Sequence, residues 1–244
     1  MSGFDRVADV YDATRSLKPR VMSKVVEGIL EFIDGSTMVD FGVGTGRFAA
    51  PLAGAGIEVT GLDISELMIR QAREKGVTNL LLSSAESTPF RPRSFDYAMV
   101  VHFVHLLRDW RAVIGEISRV TKKGLVTVVE DPRGSHNRDL YVRLREKRGF
   151  KLLGLRLGER DLIEKVKPAI QEKLVEYKEV FDPSSLLDEY ASKLHSVTWD
   201  VPDRVNKQIV DEMRPQLGTR RELKRSVYLV VWDQDQLRGL RKST

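Results

Sequence analysis

The run Met38-Val39-Asp40-Phe41-Gly42-Val43-Gly44-Thr45-Gly46-Arg47 joins an apolar stretch ending in a carboxylate to three glycines at alternate positions. It predicts a strand, a tight turn and the start of a helix. Glycines at Gly42, Gly44 and Gly46 let backbone adopt φ > 0 and approach a bound molecule closely, a geometry that suits a nucleotide. A second strand-like run, Glu58-Val59-Thr60-Gly61-Leu62-Asp63, ends in an acid about 20 residues after the first glycine. That is the spacing at which a carboxylate reaches a ribose hydroxyl in a βαβ unit. The dinucleotide fingerprint is GxGxxG; here the third glycine comes one residue early and Arg47 takes the expected place, which argues against a dinucleotide. Asp40 adds negative charge where a pyrophosphate would be repelled and a cationic ligand attracted.

S-adenosylmethionine (SAM) carries both a sulfonium and an ammonium. The stretch from Asp40 to Gly46 with Asp63 resembles the SAM-binding core of class I methyltransferases, in particular the small-molecule group of methyltransferase type 11 and ubiquinone-biosynthesis-type enzymes. The resemblance runs from about Phe4 to Glu130. It implies SAM as cofactor and S-adenosylhomocysteine as product, with Ile64 pressing on the adenine face. It places Ser84, Ala85 and Glu86 at the adenine edge, with Ser84 standing where family members usually carry Asp. The N-terminal segment Phe4 to Arg15 is similar to one that such enzymes fold over the cofactor, with Tyr11 and Arg15 near the methionine carboxylate; a guanidinium can grip a carboxylate bidentately.

Methyl transfer from a sulfonium is an in-line displacement, so alignment supplies much of the acceleration and no metal is required in principle. Metal-dependent relatives place acids just past the fourth strand; Val100-Val101-His102-Phe103-Val104-His105 offers none. His102, at that strand end, is the candidate catalytic residue, as a general base or as an orienting group beside the cofactor. His105 reads as part of a turn over apolar surface, His136 as a loop residue, and His195 as a helix-terminal cation favoured by the dipole. Tyr141, Trp199, Met213 and Arg214 could line an acceptor pocket, but such spacing more often marks a core.

The elements that must position these groups alternate. An amphipathic helix starts at Pro19 and presents Val21, Met22, Val25, Val26, Ile29, Leu30 and Ile33 on one stripe. The order then runs strand 37–41, helix 46–55, strand 58–63, helix 65–74, strand 79–83, strand 95–101, helix 110–120 and strand 124–130. This predicts an α/β, Rossmann-like, mostly parallel seven-stranded sheet with helices on both faces, and Asp40, Asp63, Ser84 and His102 at its carboxyl edge. Three parts are expected: a SAM-binding core at 1–130, a helical lid or substrate-binding insertion at 131–195, and C-terminal strands and helix completing the core at 196–244. Leu140 to Tyr177 reads as interrupted helices, and Asp182-Pro183 starts another. Residues 197–201 and 226–232 read as strands, and the tail after Trp232 as loose.

Composition bounds the chemistry. The 244 residues contain no cysteine, which excludes disulfide scaffolds, thiolate zinc sites and thiol nucleophiles. No apolar run reaches membrane-spanning length and no secretory leader is evident, so a cytoplasmic protein, monomer or homodimer, is expected. The net charge of +5 and pI of about 9.4 motivate an RNA-modifying alternative. Yet Glu146 interrupts the densest basic run, Arg143, Arg145, Lys147, Arg148 and Lys151, and no stacking aromatics accompany it; a solvated helix face is the expectation. The leading reading is metal-independent, SAM-dependent methyl transfer to a small-molecule acceptor; a SAM-binding protein without turnover is the third.

Overall fold

Strand and helix alternate along the first half of the chain because apolar runs of strand length are separated by amphipathic segments and turn residues. The computed structural model describes residues 3–15, 17–33, 36–131, 135–152 and 158–243. Helices α1 (Ala8–Arg15) and α2 (Pro19–Ile33) precede β1 (Thr37–Phe41), α3 (Ala49–Gly54), β2 (Glu58–Asp63), α4 (Glu66–Glu74), β3 (Asn79–Leu82), β4 (Phe95–Met99), α5 (Trp110–Val120) and β5 (Thr121–Asp131). Then come α6 (Ser135–Lys147), α7 (Glu159–Lys165), β6 (Ile170–Phe181), α8 (Pro183–Ala191), α9 (Asp203–Met213), β7 (Arg221–Asp233) and α10 (Gln234–Lys242).

The strands form one seven-stranded sheet in the order β3-β2-β1-β4-β5-β7-β6. The pairs β1–β2, β2–β3, β1–β4 and β4–β5 run parallel, so the expected mostly parallel α/β sheet is present. Strand order reverses at β1, and right-handed crossovers leaving in opposite directions put helices on both faces. At such a reversal the loops after neighbouring strands diverge and open a crevice at their carboxyl ends. The loops after β1 and β4 are the two that do so here.

The chain divides into two compact units: residues 1–129, 154–175 and 227–244, and residues 130–153 and 176–226. In the first, the α5 face Trp110, Val113, Ile114, Ile117 and Val120 packs in one cluster with Val39 and Phe41 of β1, Ala98 of β4 and Leu125 of β5. Asp109 caps α5 by accepting from the backbone N–H groups of Arg111 and Ala112. In the second, Tyr141, Leu144, Leu187, Tyr190, Ile209 and Met213 form a separate core. Asp182 caps α8 with Pro183 at its first position, as its sequence implies. Among the described residues no helix is long and apolar enough to cross a membrane.

Four local expectations are corrected. Residues 170–177, read as helical, belong to β6, whose Glu and Lys residues favour helix intrinsically but here face across the ladder. Lys178 pairs with Glu222, Lys224 with Glu176 and Arg225 with Glu179, at 2.7 to 2.8 Å. Residues 197–201 are not a strand: Ser196–Thr198 is a 3-10 turn that buries Val197 and Thr198 in the second unit. The tail after Trp232 is α10, begun by a reciprocal Asp233–Gln236 capping box and held by buried Leu237 and Leu240.

The fourth correction concerns the basic run. Arg145 is not on a solvated face; it is 1% exposed. Its guanidinium donates to both Asp200 carboxylate oxygens at 2.9 and 2.6 Å and to the carbonyls of Phe150, Val197 and Lys151. Arg148 pairs with Glu212 at 2.6 Å. Replacing Arg145 by Ala strands a carboxylate and three carbonyls, and is expected to lower the stability of the second unit by about 3–5 kcal/mol. Lys supplies no planar fork and should rescue little. Urea unfolding of both variants tests this, and wild-type stability in Arg145→Ala would contradict it.

Candidate functional site

The turn after β1 is the centre of the site. Gly42, Gly44 and Gly46 take φ of 76°, 54° and 76°. The Gly42 and Val43 N–H groups both donate to the Leu62 carbonyl at 2.9 Å, stitching the turn to β2. A Cβ on Gly42 would collide with the Phe103 ring, whereas one on Gly44 would meet nothing nearer than the Gly42 oxygen at 3.9 Å. Gly42 is thus required by packing, and Gly44 leaves bare backbone facing open space.

Asp63, at the end of β2, accepts from the Gly44 N–H at 2.9 Å and from the Ser65 N–H at 2.9 Å, one on each carboxylate oxygen. Burial pushes its carboxyl above the ordinary range, opposed by these backbone donors and reinforced by Asp5. Asp40, at the end of β1, is 5% exposed. Burial and then the Asp63 charge push its carboxyl up to about 7, against the pull of Arg47. Two neighbouring acids with one nearby guanidinium make a site that favours an incoming positive charge.

The next strand ends supply apolar and polar surface. Ile64 is 62% exposed and Leu82 57%, unusual exposure for large aliphatic side chains at a sheet edge. Ser84 and Glu86 are exposed and Ala85 is buried. The Glu86 N–H donates to the Ser84 hydroxyl oxygen at 3.2 Å, forming a local turn.

The N-terminal segment docks on this region through three acids. Thr45 Oγ1 donates to Asp12 at 2.6 Å, Ser65 Oγ to Asp5 at 2.5 Å and Gln71 Nε2 to Asp9 at 3.0 Å, and Lys75 also pairs with Asp12. Asp9 and Asp12 share a face of α1 by their spacing, a usable sequence signal, whereas Asp5 sits in the 3-10 turn Gly3–Arg6 before it. Tyr11 lies half-buried on α1. Arg15 ends that helix, and its side chain lies outside the described residues.

His102 follows β4 with φ of 55°, left-handed for a residue with a Cβ. Its Nδ1 lies 3.3 Å from Arg47 Nη2. A guanidinium only donates, so this contact makes Nδ1 the acceptor and leaves the imidazole proton on Nε2. The other histidines lie elsewhere. His105 sits in the 3-10 turn Val104–Leu106, and the side chain of His136 lies outside the described residues. His195 comes four residues after α8 ends; it stacks on Tyr190 at 4.3 Å and contacts Glu189 at 2.9 Å, a pairing that replaces the expected helix-dipole role. Tyr141 and Met213 are core, and Trp199 Nε1 donates to the Lys193 carbonyl at 2.9 Å. Two residues missed in the sequence, Phe103 and Glu159, act on the His102 loop; Glu159 lies beyond any motif and gave no signal.

Residues 39–129 match a family described as a methyltransferase domain. An uncharacterised protein of Methanocaldococcus jannaschii is 26% identical over 170 residues, covering 68% of this chain and 80% of that one. The demethylmenaquinone methyltransferase of Renibacterium salmoninarum is 29% identical over 133 residues, 52% of this chain; the match spans little more than half of that relative, 56%. A Thermotoga maritima structure described as a SAM-dependent methyltransferase, possibly acting on histamine nitrogen, superposes with a TM-score of 0.52 at 20% identity, covering 93% of this chain and 97% of that one. Residues 39–129 are therefore similar to a methyltransferase domain, and the chain shares the Rossmann-like fold of the Thermotoga maritima structure.

Proposed function

We propose that this chain binds SAM and transfers its methyl group to a small-molecule acceptor without a metal. The observation that carries the reading is the Asp63 carboxylate, fixed by the Gly44 and Ser65 N–H groups beside open backbone at Gly44. The carboxylate has about four acceptor sites against three backbone donors, Gly44, Ser65 and Ile64, which leaves capacity for a ribose hydroxyl. Bound there, SAM supplies an electrophilic methyl group on a sulfonium.

The chain's own residues divide the remaining work. Gly42, Gly44 and Gly46 give close backbone approach, Ile64 offers an apolar face for adenine, and Ser84, Ala85 and Glu86 border its edge. Asp40 favours the cationic end, and Tyr11 and Arg15 are assigned to the methionine carboxylate. With Nδ1 accepting from Arg47, His102 acts as an Nε2–H donor that orients an acceptor; serving as a base would require it to give up that contact. The small-molecule acceptor is supported by the kind of substrate in the name of the Renibacterium relative. The RNA alternative keeps the basic pI but loses part of the basic run, because Arg145 is buried and Arg148 is paired.

Calorimetric titration should show saturable binding of SAM and of S-adenosylhomocysteine, and Asp63→Ala should weaken both by about 1 to 3 kcal/mol. No binding by the wild-type chain would overturn the proposal. A pH dependence follows from Asp40. Its raised pKa leaves the carboxyl protonated below about 7, and a cation binds better to the ionised form. SAM affinity should therefore rise from pH 5.5 to pH 8 with proton release on binding below neutrality, and Asp40→Asn should flatten that rise. Affinity in the wild-type chain that falls over the same interval would contradict the assignment.

A further inference from the structure

The His102 loop is clamped at both ends by side chains from outside it. On the β4 side, Thr127 Oγ1 donates to the Val100 carbonyl. On the far side, the backbone N–H groups of Phe103 and Val104 both donate to one oxygen of Glu159, at 2.5 and 3.0 Å. Only Val101 and His102 lie between these anchors, and His102 takes the left-handed conformation, φ 55°. The next residue, Phe103, lays its ring against Gly42.

Glu159 is the first residue of α7, far from the glycine turn in sequence, and is 7% exposed. It lines a small apolar cavity with Val100, Val104, Trp110, Leu162 and Trp232. A carboxylate in such surroundings is costly unless hydrogen bonded, and burial does push it above the ordinary carboxyl range, opposed by the Val104 and Phe103 N–H groups. A packing role would be filled better by Leu or Met. What the acid does that an apolar residue cannot is accept two consecutive backbone N–H groups and stop the chain from relaxing out of the left-handed turn.

We infer that Glu159 is a positioning residue for the methyl-transfer site: it holds the post-β4 loop so that the His102 imidazole meets Arg47 and the Phe103 ring seals the glycine turn. The inference rests on the methyltransferase reading for its purpose, while its geometry can be tested without an acceptor. A structural residue would be replaceable by any side chain that fills the cavity; a positioning residue is replaceable only by one that keeps the acceptor oxygen. Glu159→Gln keeps that oxygen and Glu159→Ala removes it.

The test is heteronuclear NMR on the full chain, following the His102 ring resonances and the Phe103 and Val104 amides. In the wild-type chain and in Glu159→Gln, Arg47→Ala should shift the His102 ring signals. In Glu159→Ala the same substitution should leave them unmoved, and the two amides should exchange with solvent about tenfold faster or more. Affinity for S-adenosylhomocysteine, the probe, should fall in Glu159→Ala and hold in Glu159→Gln. Persistence of the Arg47–His102 coupling and of amide protection in Glu159→Ala overturns the inference. If Glu159→Ala does not fold, Glu159→Asp, which withdraws the carboxylate by one methylene, is judged by the same two outcomes. Failure of the wild-type chain to bind the probe would strike the proposed function, whereas the ring coupling and amide exchange would still decide the role of Glu159.

Discussion

The structure of the site depends on one interaction, the hydrogen bond from the Gly44 N–H to the Asp63 carboxylate. It joins the turn after β1 to the side chain that ends β2, where the Gly42 and Val43 bonds to the Leu62 carbonyl join the backbones. Asp63 also takes the Ser65 N–H, which fixes the start of α4, and Ser65 in turn caps that helix by accepting from Met68. One carboxylate therefore sets the glycine turn, the first turn of α4 and the edge on which Ile64 stands exposed. The parallel register of β1 and β2, with Phe41 opposite Leu62, brings the partners within reach.

Sequence pattern carried the first 130 residues well, since each strand is a short apolar run ended by a turn residue and each helix shows a 3.6-residue stripe. The placement of the candidate residues at 40–46, 63–64 and 84–86 is legible for the same reason: they lie at or after strand ends, and chain order alone places them on one edge. The remainder was not local. β6 is rich in Glu and Lys, and what makes it a strand is pairing with β7, some 50 residues on by chain position. Arg145 reads as surface because two of its four partners, Val197 and Asp200, lie more than 50 residues away, and one of them is its counter-ion. Glu159 is the extreme case: nothing in its neighbours announces that it caps a turn some 55 residues earlier.

The correction at Arg145 and the residue that the sequence does not announce, Glu159, share a cause. Arg145 and Glu159 are buried charges that organise backbone, Arg145 through carbonyls and Glu159 through N–H groups. Such groups are expensive to bury unless they are paired or hydrogen bonded, and Arg145 has Asp200 and three carbonyls while Glu159 has two N–H groups. Sequence reading assigns charged residues to the surface by default, so it is systematically blind to the ones that fix loops.

The electrostatics around Asp40 give the site its direction. Burial and the Asp63 charge raise the proton affinity of Asp40, and Arg47, the basic group acting on Asp40, is also engaged with His102. The guanidinium is thus shared between a buried acid and an imidazole, and its hold on Asp40 is too weak to keep the acid in the ordinary carboxylate range. A ligand carrying its own positive charge would favour the ionised form of Asp40, as Arg47 does. Arg47 thus ties the first glycine turn to the loop after β4 through a single side chain.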